Sequence, residues 1–159
     1  MKRRIIIRTI TGILMIGIMV LIFCFSMENG EESQSTSGRI VGFIQENFLK
    51  PMGINILNED LSFFVRKLAH FSIYTALGMS TIGFLLTFEK LEQKKPYLFS
   101  ILIGSTYAIT DEIHQLFSSG RSGKITDVIL DSCGVIVGTG IIWLIYCFFK
   151  KKRLKEKEE

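Results

Sequence analysis

The chain has 159 residues, 48% of them hydrophobic and 21% charged, and carries a net charge of +4. Its length allows one domain. The apolar residues fall in long blocks with charge between them, which excludes an ordinary soluble globule. The basic excess gathers at block ends and is therefore no sign of nucleic-acid binding.

The first block, Thr9 to Met27, contains no charged residue and is long enough to span a bilayer. Lys2, Arg3 and Arg4 ahead of it imitate the start of a signal peptide. The apolar run is too long for one, and no small-residue cleavage site follows. Phe23, just before Cys24, argues against lipoprotein processing, so a retained helix is expected.

The next stretch, "ENGEESQSTSG", is polar and acidic and reads as a flexible loop. From Ser37 to Leu49 the pattern changes: Ile40, Val41, Phe43, Ile44, Phe48 and Leu49 recur at helical spacing. This predicts a short amphipathic helix capped by Ser37 and ended by Pro51 and Gly53. It is expected to lie in the outer interface or over the bundle.

Three further spans are predicted at residues 68–88, 97–117 and 125–149, each with ionisable groups near one end. Phe63, Phe64, Tyr97, Trp143, Tyr146, Phe148 and Phe149 sit near span ends, as interfacial anchors do. Cys24, Cys133 and Cys147 show no metal or disulfide spacing and read as small buried hydrophobes. The expected fold is all-α: a four-transmembrane-helix bundle over residues 1–149 with a short amphipathic helix in the first outer loop. A basic cytoplasmic tail, residues 150–159, follows.

Basic residues set the orientation. With the N-terminus inside, thirteen lysines and arginines fall on the cytoplasmic side and six on the other, so both termini are expected in the cytoplasm. This topology gathers the intramembrane charges at one depth. Arg66, Lys67 and His70 open the second span, Asp111, Glu112, His114 and Gln115 close the third, and Asp127 and Asp131 open the fourth. Arg121 and Lys124 lie in the short connection between the last two.

Spacing places Lys67, His70 and Tyr74 on one face, Asp111, His114 and Gln115 on another, and Asp127 and Asp131 one turn apart. Gly134 and Gly138 have the spacing that lets two helices approach closely. A carboxylate at the centre of a bilayer costs about 2.5–3.5 kcal/mol on insertion scales. These groups, nearer the interface, should still be paired, hydrated or hydrogen-bonded. Two readings follow: an ion-pair lock that fixes helix register, and a polar pocket open to the outer leaflet.

The segments "RKLAHFSIYTALG" (Arg66–Gly78) and "YAITDEIHQLFSSGRSGKITDVILDSCGVIVG" (Tyr107–Gly138) resemble the VanZ-like family. That family is named for a membrane protein associated with resistance to the lipoglycopeptide antibiotic teicoplanin. Its pattern falls here on Lys67, His70, Phe71, Tyr74, Leu77 and Gly78. It continues on Asp111, Glu112, Gln115, Phe117, Arg121, Asp127, Asp131 and Gly134. Asp131 stands where many relatives have asparagine, which adds one negative charge or a shared proton. His114 falls outside the pattern and reads as an outer-interface residue. Lys124 reads as the start of the fourth span, and Phe71 and Phe117 as packing residues. The resemblance implies a bacterial multi-pass protein of the cell membrane and supplies no reaction.

The expected function is an envelope-associated protein linked to teicoplanin-type resistance. Arg66, Lys67, His70, Tyr74, Asp111, Glu112, Gln115, Arg121, Asp127 and Asp131 would bind a lipid-linked or lipoglycopeptide ligand, with membrane lipids as neighbours. One alternative is a membrane enzyme acting on an outer-leaflet lipid or envelope precursor, with His70, Asp111 and Glu112 as acid–base candidates. In that case Asp111, Glu112, Asp127, Asp131 and His70 are also the groups able to hold a divalent cation. Their spacing matches no standard metal motif, so no metal and no cofactor is expected. A small transporter or flippase is the other alternative, disfavoured by four spans and no inverted repeat.

Overall fold

The computed structural model describes residues 2–28, 30–54, 58–92, 95–118 and 123–156. Arg121, one of the expected site residues, lies outside them. Helix α1 covers Lys2–Met27 and α2 covers Gly30–Ile44, running on into a single π-helical turn at Gln45–Leu49. Then come α3 (Asn58–Leu85), the one-turn α4 (Glu89–Glu92), α5 (Pro96–Gln115) and α6 (Ile125–Lys155). Among the described residues, three helices are long and apolar enough to cross a membrane: Arg4–Met27, Asn58–Leu85 and Ile125–Lys155.

The expected loop before Ser37 is helical from Gly30 onward, so Ser37 sits inside α2 and does not cap it. Ser37 and Val41, one turn apart, are both buried, and α2 lies against α3. Packing along that stripe overrides the poor helix propensity of the serines and glycines. The π turn closes with the Lys50 amide donating to the Gln45 carbonyl at 2.9 Å. Gly53 then turns the chain away at φ +71°, a left-handed conformation that glycine adopts without strain.

Two other boundaries move. Helix α3 starts ten residues before the expected 68, with Glu59 and Asp60 in its first turn, where carboxylates complement the helix dipole. Helix α6 continues to Lys155 with Lys152, Arg153 and Lys155 in its last turn. Cations there suit the negative end of the dipole, so most of the expected tail is helix. At the start of α5, Pro96 occupies the first turn, a position that needs no backbone donor.

Contacts fix the directions of the four long helices. Arg8 near the start of α1 bonds Thr87 just past the end of α3, so these two run antiparallel. Tyr107 donates to the Met19 carbonyl at 2.6 Å and Ser118 to that of Ser26 at 3.1 Å, so α5 runs with α1. Helix α6 runs with α3 and against α5, as Tyr97 beside Trp143 confirms with ring centroids 5.1 Å apart. One end of the bundle, called here the Met27 end, therefore collects Met27, Asn58, Gln115 and Ile125. Arg4, paired with Glu89, and Arg8, 4.0 Å from the Phe88 ring, mark the opposite end.

The tightest seam lies between α3 and α6. A Cβ at Gly138 would fall 1.9 Å from the Thr75 carbonyl oxygen, and one at Gly134 would fall 2.6 Å from that of Phe71. Only glycine fits there, and the backbones touch. Tyr74, Leu77, Ala108, Val135 and Ile22 form the buried core beside this seam. The three cysteines are exposed, contrary to expectation. Their helix faces point out of the bundle, where large apolar residues such as Ile13, Leu14, Ile136 and Leu144 are also exposed. On a membrane protein such a face meets lipid, so an apolar block in the sequence does not by itself mean a protein core.

Candidate functional site

The parallel α3–α6 pair sets the geometry at the Met27 end. Because their backbones touch at Gly134 and Gly138, side chains one and two turns earlier on each helix must meet or pair. Lys67 on α3 pairs with Asp127 on α6, and its ammonium also lies 5.2 Å from the Phe63 ring centre. Thr126 donates to the same Asp127 carboxylate at 3.2 Å. One turn deeper, His70 Nδ1 stands 3.6 Å from Asp131 Oδ2. That is an ion-pair contact but longer than a hydrogen bond. One turn deeper again, Tyr74 is fully buried against Gly134.

Helix α5 supplies the third wall. Asp111 accepts a hydrogen bond from Gln115 Nε2 at 3.2 Å, as their i, i+4 spacing allows. Glu112 Oε2 accepts the backbone N–H of Lys124 at 2.8 Å, tying the end of α5 to the entry of α6. The role of Lys124 is thus carried by its amide. Gly123 completes this tie, since a Cβ there would lie 2.5 Å from the Glu112 carbonyl oxygen. His114 points toward α1, with Nδ1 3.4 Å from Ser26 Oγ and its ring 4.9 Å from that of Phe23. It is a helix-packing group and not an idle interfacial residue.

Burial separates these groups. Asp131 is 0% exposed, Glu112 4% and Asp111 5%. Both Asp131 oxygens, Glu112 Oε1 and the Tyr74 hydroxyl have no hydrogen-bond partner among the described residues. Buried polar atoms are nearly always bonded, so four such atoms near one end of the bundle call for an occupant or a proton. One ligand atom each from His70, Asp111 and Asp131 lies within 4.8 Å of the others. The Lys67–Asp127 ion pair, by contrast, is satisfied, and Glu112 is bonded through Oε2 alone, to the Lys124 amide.

Arg66 stands apart from this cluster. It lines a cavity of about 200 Å³ between α1, α2 and α3, together with Ile22, Phe25, Ile40, Ala69, Ile73 and His70. It also lines an adjoining cleft of about 520 Å³ formed with Ser37, Asn58, Glu59 and Ser62. His70 therefore belongs to both regions, touching the cavity on one side and Asp131 on the other. The α1 and α2 contributions were not foreseen. Ser26, a polar residue near the end of an apolar run, and the Ser37–Val41 stripe were the signals available.

No curated protein and no solved structure matches the chain. The family model described as VanZ/LLP1 matches residues 11–146. That stretch includes all four long helices over most of their length, the α3–α6 seam and every group of the polar cluster. The match and the helical, apolar architecture agree, and the chain belongs to the VanZ-like family of membrane proteins.

Proposed function

We propose that this protein binds an anionic amphiphile of the bacterial cell envelope, a lipid-linked or lipoglycopeptide molecule, at its Met27 end. By doing so it lowers the access of teicoplanin-type antibiotics to the cell surface. In this reading α5 crosses the bilayer along with α1, α3 and α6. The lysines and arginines at the start of α1 and the end of α6 keep those ends in the cytoplasm, and the Met27 end faces outward.

The observation that carries the proposal is the position of Arg66. It stands where an apolar cavity of about 200 Å³ meets a more polar cleft, and no ion pair or hydrogen bond engages it among the described residues. A guanidinium presents a planar fork of donors suited to phosphate or carboxylate. The apolar walls beside it suit a hydrocarbon chain. Head and tail of one amphiphile thus find complementary surfaces side by side, and binding there needs no reaction.

The test uses Arg66→Ala, which removes the fork, and Ala69→Trp, which fills the cavity. A photoactivatable lipid phosphate should crosslink to the wild-type chain in nanodiscs at least tenfold more than to either variant. Both variants should also fail to restore teicoplanin tolerance in a deletion strain. Wild-type crosslinking and protection by both variants, at wild-type abundance, would overturn the proposal.

A further inference from the structure

We propose that His70, Asp111 and Asp131 form a site for a divalent transition-metal ion, of the zinc or manganese type, between α3, α5 and α6. This goes beyond the amphiphile reading and does not depend on it. Three ligand-capable side chains come from three different helices, and one ligand atom of each lies within 4.8 Å of the others. Metal–ligand bonds of about 2.0–2.2 Å put donor atoms roughly 3–4 Å apart, so small rotamer adjustments close the cluster around an ion. One imidazole with two carboxylates suits zinc or manganese, whereas magnesium and calcium favour all-oxygen shells.

The second observation is independent of the clustering. Asp131 is 0% exposed, and neither of its oxygens has a hydrogen-bond partner among the described residues. A carboxylate in that state is costly unless paired or neutralised. The nearest lysine of α3 is no remedy, because Lys67 is engaged by Asp127. Asp111, 5% exposed, brings a second carboxylate, which accepts from the neutral Gln115 amide. A doubly charged cation balances both. His70 also lines the cavity beside Arg66, so an ion held on its ring would sit next to the space where an anionic headgroup can arrive.

The measurement is metal content by mass spectrometry, on full-length protein carrying a tag without histidine, stripped with chelator and reloaded with Zn²⁺ or Mn²⁺ alone. Wild type should hold about one ion per chain, as a three-ligand site predicts. Asp131→Asn and His70→Ala should each weaken binding at least tenfold. Asp60→Asn, which removes an exposed carboxylate in the first turn of α3, outside the cluster, should bind as wild type. Cobalt loading of the wild-type chain gives a readout that needs no variant, since ligation by the imidazole produces visible absorption bands that free cobalt lacks. Wild type with no ion and no such bands, or equal loss in Asp60→Asn and Asp131→Asn, would overturn the proposal. No lipid takes part in the measurement, so its failure leaves the Arg66 reading standing. Failure of the lipid crosslinking likewise leaves this one standing.

Discussion

The two sides of α3 are built on different terms. Toward α6 it packs backbone on backbone, with a Cβ at Gly138 falling 1.9 Å from the Thr75 oxygen. Lys67, paired with Asp127, and His70, 3.6 Å from Asp131, continue the same seam to the Met27 end. Toward α1 the glycines face side chains. A Cβ at Gly12 would lie 3.1 Å from the Phe84 ring, and one at Gly83 would lie 3.6 Å from a Thr11 methyl. The cavity beside Arg66 opens on that looser side. A membrane bundle gains little from burying one apolar surface against another, because lipid is just as apolar. Close fit and polar contacts must fix the seam, and where they are absent space remains for a ligand.

The largest effect should come from breaking the fit itself. Gly138→Ala places a methyl inside the contact distance of the Thr75 carbonyl, and both backbones are helical and cannot yield cheaply. Unfolding in mixed micelles should show a loss of at least about 3 kcal/mol, the upper part of the usual overpacking range. Gly83→Ala puts the same methyl on the looser side, in ordinary contact with a Thr11 methyl at 3.6 Å, and should cost less than about 0.5 kcal/mol. Equal losses for the two variants would remove the distinction between the seams.

The pair at the mouth of the seam comes next. Lys67→Met leaves the half-buried Asp127 carboxylate with only the Thr126 hydroxyl. A charged partner left without its counter-ion should cost about 1–3 kcal/mol. Asp127→Asn together with Lys67→Met should recover much of that, because no uncompensated charge remains. If the double variant is as damaged as the sum of the singles, the two residues act separately and the register lock fails.

Much of this could be read from the order of residues, and the failures have physical causes. The long apolar blocks, the depth shared by His70, Asp111 and Asp131, and the Gly134–Gly138 approach follow from helical periodicity and the alternation of directions. The start of helix α2 did not, because Ser37 is a good cap in isolation and only packing on α3 shows that it lies mid-helix. The outward cysteines were misread because lipid and protein interiors make the same demand on a sequence. The division of the expected pocket into a buried cluster and a separate Arg66 cavity depends on which side of α3 each residue takes. Arg66 and Lys67 are neighbours in sequence, yet successive helical positions point about 100° apart. Without the contributions of α1 and α2, nothing indicated that Arg66 had a cavity of its own.

The smallest expected effect probes what polar contacts add once backbones fit. Ser100 and Thr139 share a hydrogen bond of 2.9 Å across α5 and α6, both fully buried, and Ser100 also reaches the Gly78 carbonyl at 3.3 Å. Interhelical bonds of this kind in membrane proteins average about 0.6 kcal/mol and reach roughly 1.7 kcal/mol. The reason is that a threonine hydroxyl released from its partner can bond back to a carbonyl of its own helix. Ser100→Ala should therefore cost about 1 kcal/mol in the same micelle titration, well below Gly138→Ala. The order matters more than either value. If Ser100→Ala proved the more damaging, polar pairing would be holding α3, α5 and α6 together, and the touching backbones at Gly134 and Gly138 would be its consequence.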